Sequence, residues 1–147
     1  MIIAVAAGGG GDIIGRLMAS ELSASLGQNV VVENKPGALG LIANEAGAKA
    51  PPDGYTVLFS YSSAIAVNHS LQRKLPYDTF KDLVPVAQVG SVSNLILVAP
   101  DFAVRNVAEL VQYARAHPGL PYGSWGSGSG GHLSMEHLAL QTGVPEG

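Results

Sequence analysis

The chain contains no cysteine. That absence removes disulfides, thiolate nucleophiles and cysteine-ligated zinc together. It does not fix the compartment, since exported proteins also occur without cysteine. Charge is scarce as well: Asp, Glu, Lys and Arg make up 13% of the 147 residues, and the net charge is −3. The 8 Lys and Arg form no cluster, which argues against a nucleic-acid partner. No helical pattern carries a Lys/Arg-rich face, which argues against a membrane-surface role. No apolar run approaches the roughly 20 residues of a membrane span. The opening Met1-Ile2-Ile3-Ala4-Val5-Ala6-Ala7 lacks a basic leader and runs straight into glycine. It reads as a first buried strand, so the sequence itself carries no export signal.

Apolar residues, at 47%, are abundant, and so is glycine, with 19. This composition excludes disorder and supplies enough apolar surface for a domain core. The pattern alternates strand and helix. Residues 2–7 form a continuous apolar run suited to a parallel strand. Ile14, Met18, Leu22 and Leu26 recur every fourth residue with Ile13 and Leu17 beside them, predicting an amphipathic helix stopped by Gly27. Val30-Val31-Val32 predicts a second strand, 39–50 a small Ala-rich helix ended by Pro51-Pro52-Asp53-Gly54, and 55–59 a third strand. A short helix is expected at 64–71.

Leu83–Val89 and Leu95–Val98 read as two further strands around a flexible Gly90-Ser91-Val92-Ser93-Asn94 turn. Asn106 stands three before Glu109, a capping-box spacing for a helix over 107–116, which His117-Pro118-Gly119 ends. A strand at 121–125 and a helix at 132–142 follow. No internal repeat at a fixed period is evident. The alternation predicts an α/β fold with a mostly parallel sheet. A crossover helix ordinarily delivers the chain to another parallel strand, but only Val144-Pro145-Glu146-Gly147 follows the last one. The second lobe is therefore expected to be incomplete, with an open sheet edge that favours self-association.

Two glycine-rich turns stand out. Gly8-Gly9-Gly10-Gly11-Asp12 opens the first helix, and Gly123-Ser124-Trp125-Gly126-Ser127-Gly128-Ser129-Gly130-Gly131-His132 opens the last. Glycine permits close backbone approach, and a helix start offers unpaired N–H donors with partial positive charge. Both turns therefore suit a small anion such as a carboxylate, with the amides of Gly8 to Gly11 converging on it. Asp12 has a structural role available, capping the helix by accepting from N–H groups two or three residues on. Ser62 and Ser63 follow the third strand at its carboxyl end, where ligands sit in open α/β sheets; N-capping of the 64–71 helix is their structural alternative.

Other chemistries fit less well. A dinucleotide fingerprint begun at Gly8 or Gly9 would need glycine at 13 or 14, and both are isoleucine. No Gly-Lys-Ser/Thr is present for a P-loop, and neither Ser127 nor Ser129 stands in G-x-S-x-G. His132 and His137 lie five apart, about 140° around a helix, and cannot share one metal ion. His132 reads instead as a hydrogen-bonding residue at the helix start. Trp125 reads as packing or as a wall beside the ligand. No cofactor is called for.

Taken together these motifs resemble the Bug-type solute receptors of tripartite tricarboxylate transporters. The resemblance is carried by Ala7 to Arg16, by Val32-Glu33-Asn34-Lys35-Pro36-Gly37-Ala38, and by Pro52-Asp53-Gly54-Tyr55-Thr56. Leu75-Pro76-Tyr77-Asp78 with Lys81-Asp82, and Ser124 to Leu133, complete it. It implies a type II periplasmic binding fold with two α/β lobes, here 1–90 and 91–147. It also implies a small di- or tricarboxylate or acidic amino acid as ligand, a periplasmic location, and membrane transporter subunits as partners. The implied ligand loops are Ala6 to Asp12 (Ala7, Gly8, Gly9, Gly10 and Asp12 among them) and Ser124 to His132 (Ser124, Ser127, Gly128, Ser129 and His132). Ser62 and Ser63 fall where the family often has ligand-facing serines. Ala4 and Val5 replace the Pro and aromatic residue usual before the first loop, and the chain is about half the length of a family member. The competing readings are a nucleotide-binding or hydrolytic α/β enzyme using the same turns, and a truncated remnant that binds nothing.

Overall fold

At the centre of the first half lies Ile3, which has no solvent-exposed surface. It belongs to β1 (Ile2–Ile3), the middle strand of a three-stranded parallel sheet. Strand β2 (Glu33–Asn34) pairs on one side and β3 (Leu58–Phe59) on the other. The computed structural model describes residues 1–71 and 74–144, so the Pro145-Glu146-Gly147 tail lies outside the described residues. Within them the chain divides into two compact units, Met1–Ala87 and Gln88–Gly147.

The first unit is an α/β layer. Helix α1 (Gly10–Leu26) follows β1 and ends at Gly27 in the left-handed conformation, as the sequence predicts. Its packed face is not the apolar stripe. Asp12, Gly15 and Ala19 are the buried positions, while Ile14, Leu17 and Leu26 are exposed. The cause is close approach: a β-carbon on Gly15 would lie 2.5 Å from Ile3 Cδ1, so only glycine lets the helix sit this near the strand. Helix α2 (Leu41–Ala48) contributes Ala43 to a core with Ile2 and Ala4, against which Ala46, Leu58 and Tyr61 pack.

The strands are shorter than their apolar runs. Pairing uses Glu33 and Asn34 rather than Val30 to Val32: Glu33 N–H donates to Met1 O and Lys35 N–H to Ile3 O. Val31 is left exposed. After Ile3 the chain makes one more ladder bond, Ala4 N–H to Phe59 O, and then turns into the first glycine loop.

The helix expected at 39–50 forms as α2 and starts at Leu41, after a left-handed turn. Gly37, Ala38, Leu39 and Gly40 all have positive φ, of 115°, 46°, 51° and 80°. The two non-glycine members cost about 1–2 kcal/mol each in this region. A π-type turn (Ser63–Val67) runs into the short helix α3 (Asn68–Leu71), in the expected place. Buried amides tie these pieces together. Asn68 Nδ2 donates to the carbonyls of Leu39 and Ala64, and Asn44 donates to Ala64 O and Tyr77 Oη while accepting from Ser60 Oγ.

In the second unit, helix α4 (Val107–Ala116) forms where predicted, and Asn106 Oδ1 caps Glu109 N–H at 3.0 Å. Helix α5 (Gly130–Thr142) starts two residues before the expected 132, because Ser129 rather than a later residue is its N-cap. Arg115 on α4 donates to the last carbonyl of α5, Thr142 O. The segments expected as strands at 83–89, 95–98 and 121–125 pair with no strand among the described residues. A strand persists only where a neighbour takes its backbone donors and acceptors. Without one, Val84, Val86, Leu95 and Leu97 stay exposed.

Candidate functional site

The first glycine loop is held from beneath by one buried carboxylate. Gly9 is the N-cap of α1, so Asp12 occupies the third helical position rather than the cap. Its side chain does not reach forward along the helix as expected. It reaches back, and Oδ2 accepts the Gly8 N–H at 2.9 Å. Arg16, one turn on, donates Nε to both carboxylate oxygens at 3.0 Å. Asn34 completes the lock: its Nδ2 donates to Asp12 Oδ1 and to Val5 O, and its Oδ1 accepts from Arg16 Nη2.

Asp12 is 3% exposed. Its pKa is nevertheless lowered to about 2, first by the Gly8 amide, then by Arg16 and Asn34, against the opposing effect of burial. It is ionised across the physiological range and committed to the loop. The Gly8 amide is therefore unavailable to a ligand, which corrects the expected Gly8-to-Gly11 donor set. Gly9 and Gly10 are exposed, and among the described residues the Gly10 and Gly11 amides have no acceptor, as befits the first turn of a helix.

The second glycine loop repeats this local geometry. Gly128 has φ 85°, the value found at Gly8. Ser129 is the N-cap, as Gly9 is, and Gly130-Gly131 opens the helix, as Gly10-Gly11 does. Gly128 N–H donates to His132 Nδ1 at 3.2 Å, four residues on, in the role Asp12 plays for Gly8. Ser129 Oγ accepts from His132 N–H. Glu136 lies 3.5 Å from His132 Nε2 and accepts from the Tyr122 hydroxyl, whose ring stacks near the imidazole. The amides of Gly130 and Gly131 have no acceptor among the described residues.

The remaining expected residues divide by what their side chains touch. Ser124 Oγ stays near the Gly126 backbone, and Ser127 is exposed. Trp125 lies against Gly131 and is otherwise open to solvent. Ser62 has helical backbone angles and makes no capping bond, which removes the N-cap alternative. Neither Ser62 nor Ser63 hydroxyl has a partner among the described residues, leaving both available to a ligand. Ala7 is exposed at the head of the first loop.

No group of three or more metal-ligating side chains occurs among the described residues. A cavity of about 660 Å³ in the second unit is lined largely by apolar side chains from 95–98, α4 and α5, together with Gly123, Ser124, Trp125 and Gly131 of the second glycine loop. Arg16 and Asn34 were not picked out by sequence as site-forming. The spacing of four between Asp12 and Arg16 was a legible signal for their pairing; nothing local announces Asn34.

Residues 14–146 match the family described as tripartite tricarboxylate transporter family receptor. The chain belongs to that family. It is 41% identical to protein BugT of Bordetella pertussis over 146 residues, covering 98% of this chain and 45% of BugT. Two solved structures from Rhodopseudomonas palustris are similar over 99% of this chain. Rpa4515 with adipate has a TM-score of 0.89 at 37% identity, with 49% of that chain covered. MatC with bound malate has a TM-score of 0.83 at 31% identity, with 51% covered. The chain thus spans about half the length of the receptors it matches. The fold class is that of the periplasmic binding proteins. No helix among the described residues is long and apolar enough to cross a membrane.

Proposed function

We propose that this family member acts in the periplasm as a solute receptor that captures a small di- or tricarboxylate, or an acidic amino acid, for the membrane subunits of a tripartite transporter. The observation that carries the reading is the pair of preorganised glycine loops. Each leaves the amides of two adjacent glycines without an acceptor among the described residues, at a helix start where partial positive charge favours a carboxylate. Each unit offers a binding surface of its own, the Gly10 and Gly11 amides in the first and the Gly130 and Gly131 amides with Ser124 and Ser127 in the second, while Ser62 and Ser63 supply hydroxyl donors. Asp12 and His132 act behind the loops. Residues 1–90 and 91–147 correspond to a first lobe and part of a second. No bond is broken and no cofactor takes part. The adipate and malate named with the two relatives support the ligand class.

Isothermal titration of the purified chain with malate, succinate, adipate and citrate, and separately with ATP and NAD, tests this. Saturable binding of a carboxylate but neither nucleotide is expected. Nucleotide binding, or turnover of an ester panel lost in Ser124→Ala or Ser127→Ala, would replace the receptor with an enzyme.

A further inference from the structure

We propose that His132 is a positioning residue that latches the second glycine loop through its neutral Nδ1, so that this loop, unlike the first, is released when the ring takes a second proton. The two loops run Ala7-Gly8-Gly9-Gly10-Gly11-Asp12 and Ser127-Gly128-Ser129-Gly130-Gly131-His132. Each places a left-handed glycine before the N-cap, and each consumes that glycine's amide with the side chain four residues on. The latching atom occupies the same place along the side chain in both, the second atom beyond Cβ. What differs is protonation. The Asp12 carboxylate carries only lone pairs towards Gly8. An imidazole nitrogen accepts from Gly128 only while it carries no proton, which sets the proton of the neutral ring on Nε2, towards Glu136.

Protonating Nδ1 would turn two N–H groups against each other and place positive charge in the first turn of α5, where the helix dipole opposes it. The ionisable groups that face this imidazole among the described residues are Glu136, on the same helix, and Tyr122, on the preceding extended segment, which also donates to Glu136. Glu136 attracts the protonated ring towards Nε2 and away from Gly128. Both effects open the latch. Because Gly128 precedes the N-cap, its release alters the backbone that aims the Gly130 and Gly131 amides. The effect on ligand rests on the carboxylate reading above; the effect on the loop does not.

The test uses ¹H–¹⁵N spectra of the chain and of two variants. In His132→Asn, Oδ1 takes the place of Nδ1 and does not titrate; in His132→Leu there is no acceptor. The protection factor of the Gly128 amide is expected to fall about three- to tenfold in the wild type as pH is lowered and the ring takes a second proton, an event read from the His132 ring resonances of the same samples. Gly8 should hold its protection throughout. His132→Asn should protect Gly128 at every pH of the series, and His132→Leu at none. A Gly128 amide indifferent to pH, or protected in His132→Leu, would overturn the latch. Malate affinity should fall several-fold over the same series in the wild type beyond any change in His132→Asn, which corrects for titration of malate itself. Absence of malate binding at any pH would refute the receptor while the Gly128 readout still decides the latch.

Discussion

Replacing Gly40 by alanine tests the packing of the turn beneath the Ser62-Ser63 segment. Gly40 has φ 80° and ψ 1°, left-handed angles that disfavour a β-carbon by about 1–2 kcal/mol. The new carbon would also lie 2.6 Å from Ala64 Cβ and 3.3 Å from the Tyr61 hydroxyl. Ordinary carbon–carbon contact lies near 3.5–4.0 Å, so about 1 Å of movement is needed. Ala64 is fully buried and its Cβ cannot rotate aside; the π-type turn itself must shift, together with the carbonyl that Asn44 and Asn68 share. Overpacking of this kind adds about 1–3 kcal/mol, giving a total of roughly 2–5 kcal/mol. For a unit of this size each kcal/mol moves Tm by about 4–8 °C, so a fall of at least about 10 °C is expected in far-UV circular dichroism melts. Gly54→Ala is the control: its φ is 82°, but nothing lies within 4 Å of the added carbon, so it should lose only the backbone contribution. A Gly40→Ala protein no less stable than Gly54→Ala would mean that the contact with Ala64 yields without cost.

Asp12→Asn should destabilise the chain at neutral pH and flatten its acid unfolding limb. The folded carboxyl titrates near about 2 against an ordinary value of 3.8, so its stabilisation is complete above the ordinary value and is lost as pH falls towards 2. Urea titrations across that window should show a steeper loss in the wild type than in the variant; equal slopes would remove Asp12 as the first loop's anchor. Ser129→Ala should cost about 1 kcal/mol through the lost N-cap bond to His132 N–H, with faster exchange confined to the first turn of α5. Unchanged exchange there would mean that the cap contributes nothing.

Helix positions that depend on local signals were legible in the sequence. The capping spacing of Asn106 and Glu109 located α4, and Gly27 marked the end of α1. The glycine runs identified both loops because a glycine-rich turn that opens a helix is a short-range feature. Strand extents were not legible. Whether Val30 to Val32 or Glu33-Asn34 pairs with β1 depends on register against Met1 and Ile3, which no local pattern encodes. The packed face of α1 was hidden for a related reason: the apolar period marks Ile14 and Leu17, but approach to Ile3 selects Gly15 and Ala19. Asp12 was expected to cap forward because that is the commoner local use of an aspartate at a helix start. It reaches backward because Asn34, 22 residues away in sequence, and Arg16 hold it there. The left-handed turn at 37–40 has no local signature, because Ala38 and Leu39 carry no sign of positive φ and the buried Asn68 that binds Leu39 O comes from a distant segment.

The proposal stands on main-chain amides, at the start of α1 and at the start of α5, receiving a carboxylate. Titrating malate into ¹⁵N-labelled protein and following the Gly10, Gly11, Gly130 and Gly131 amides tests it most directly. Each of the four should shift downfield and saturate with malate. Binding that leaves these four resonances in place would contradict it.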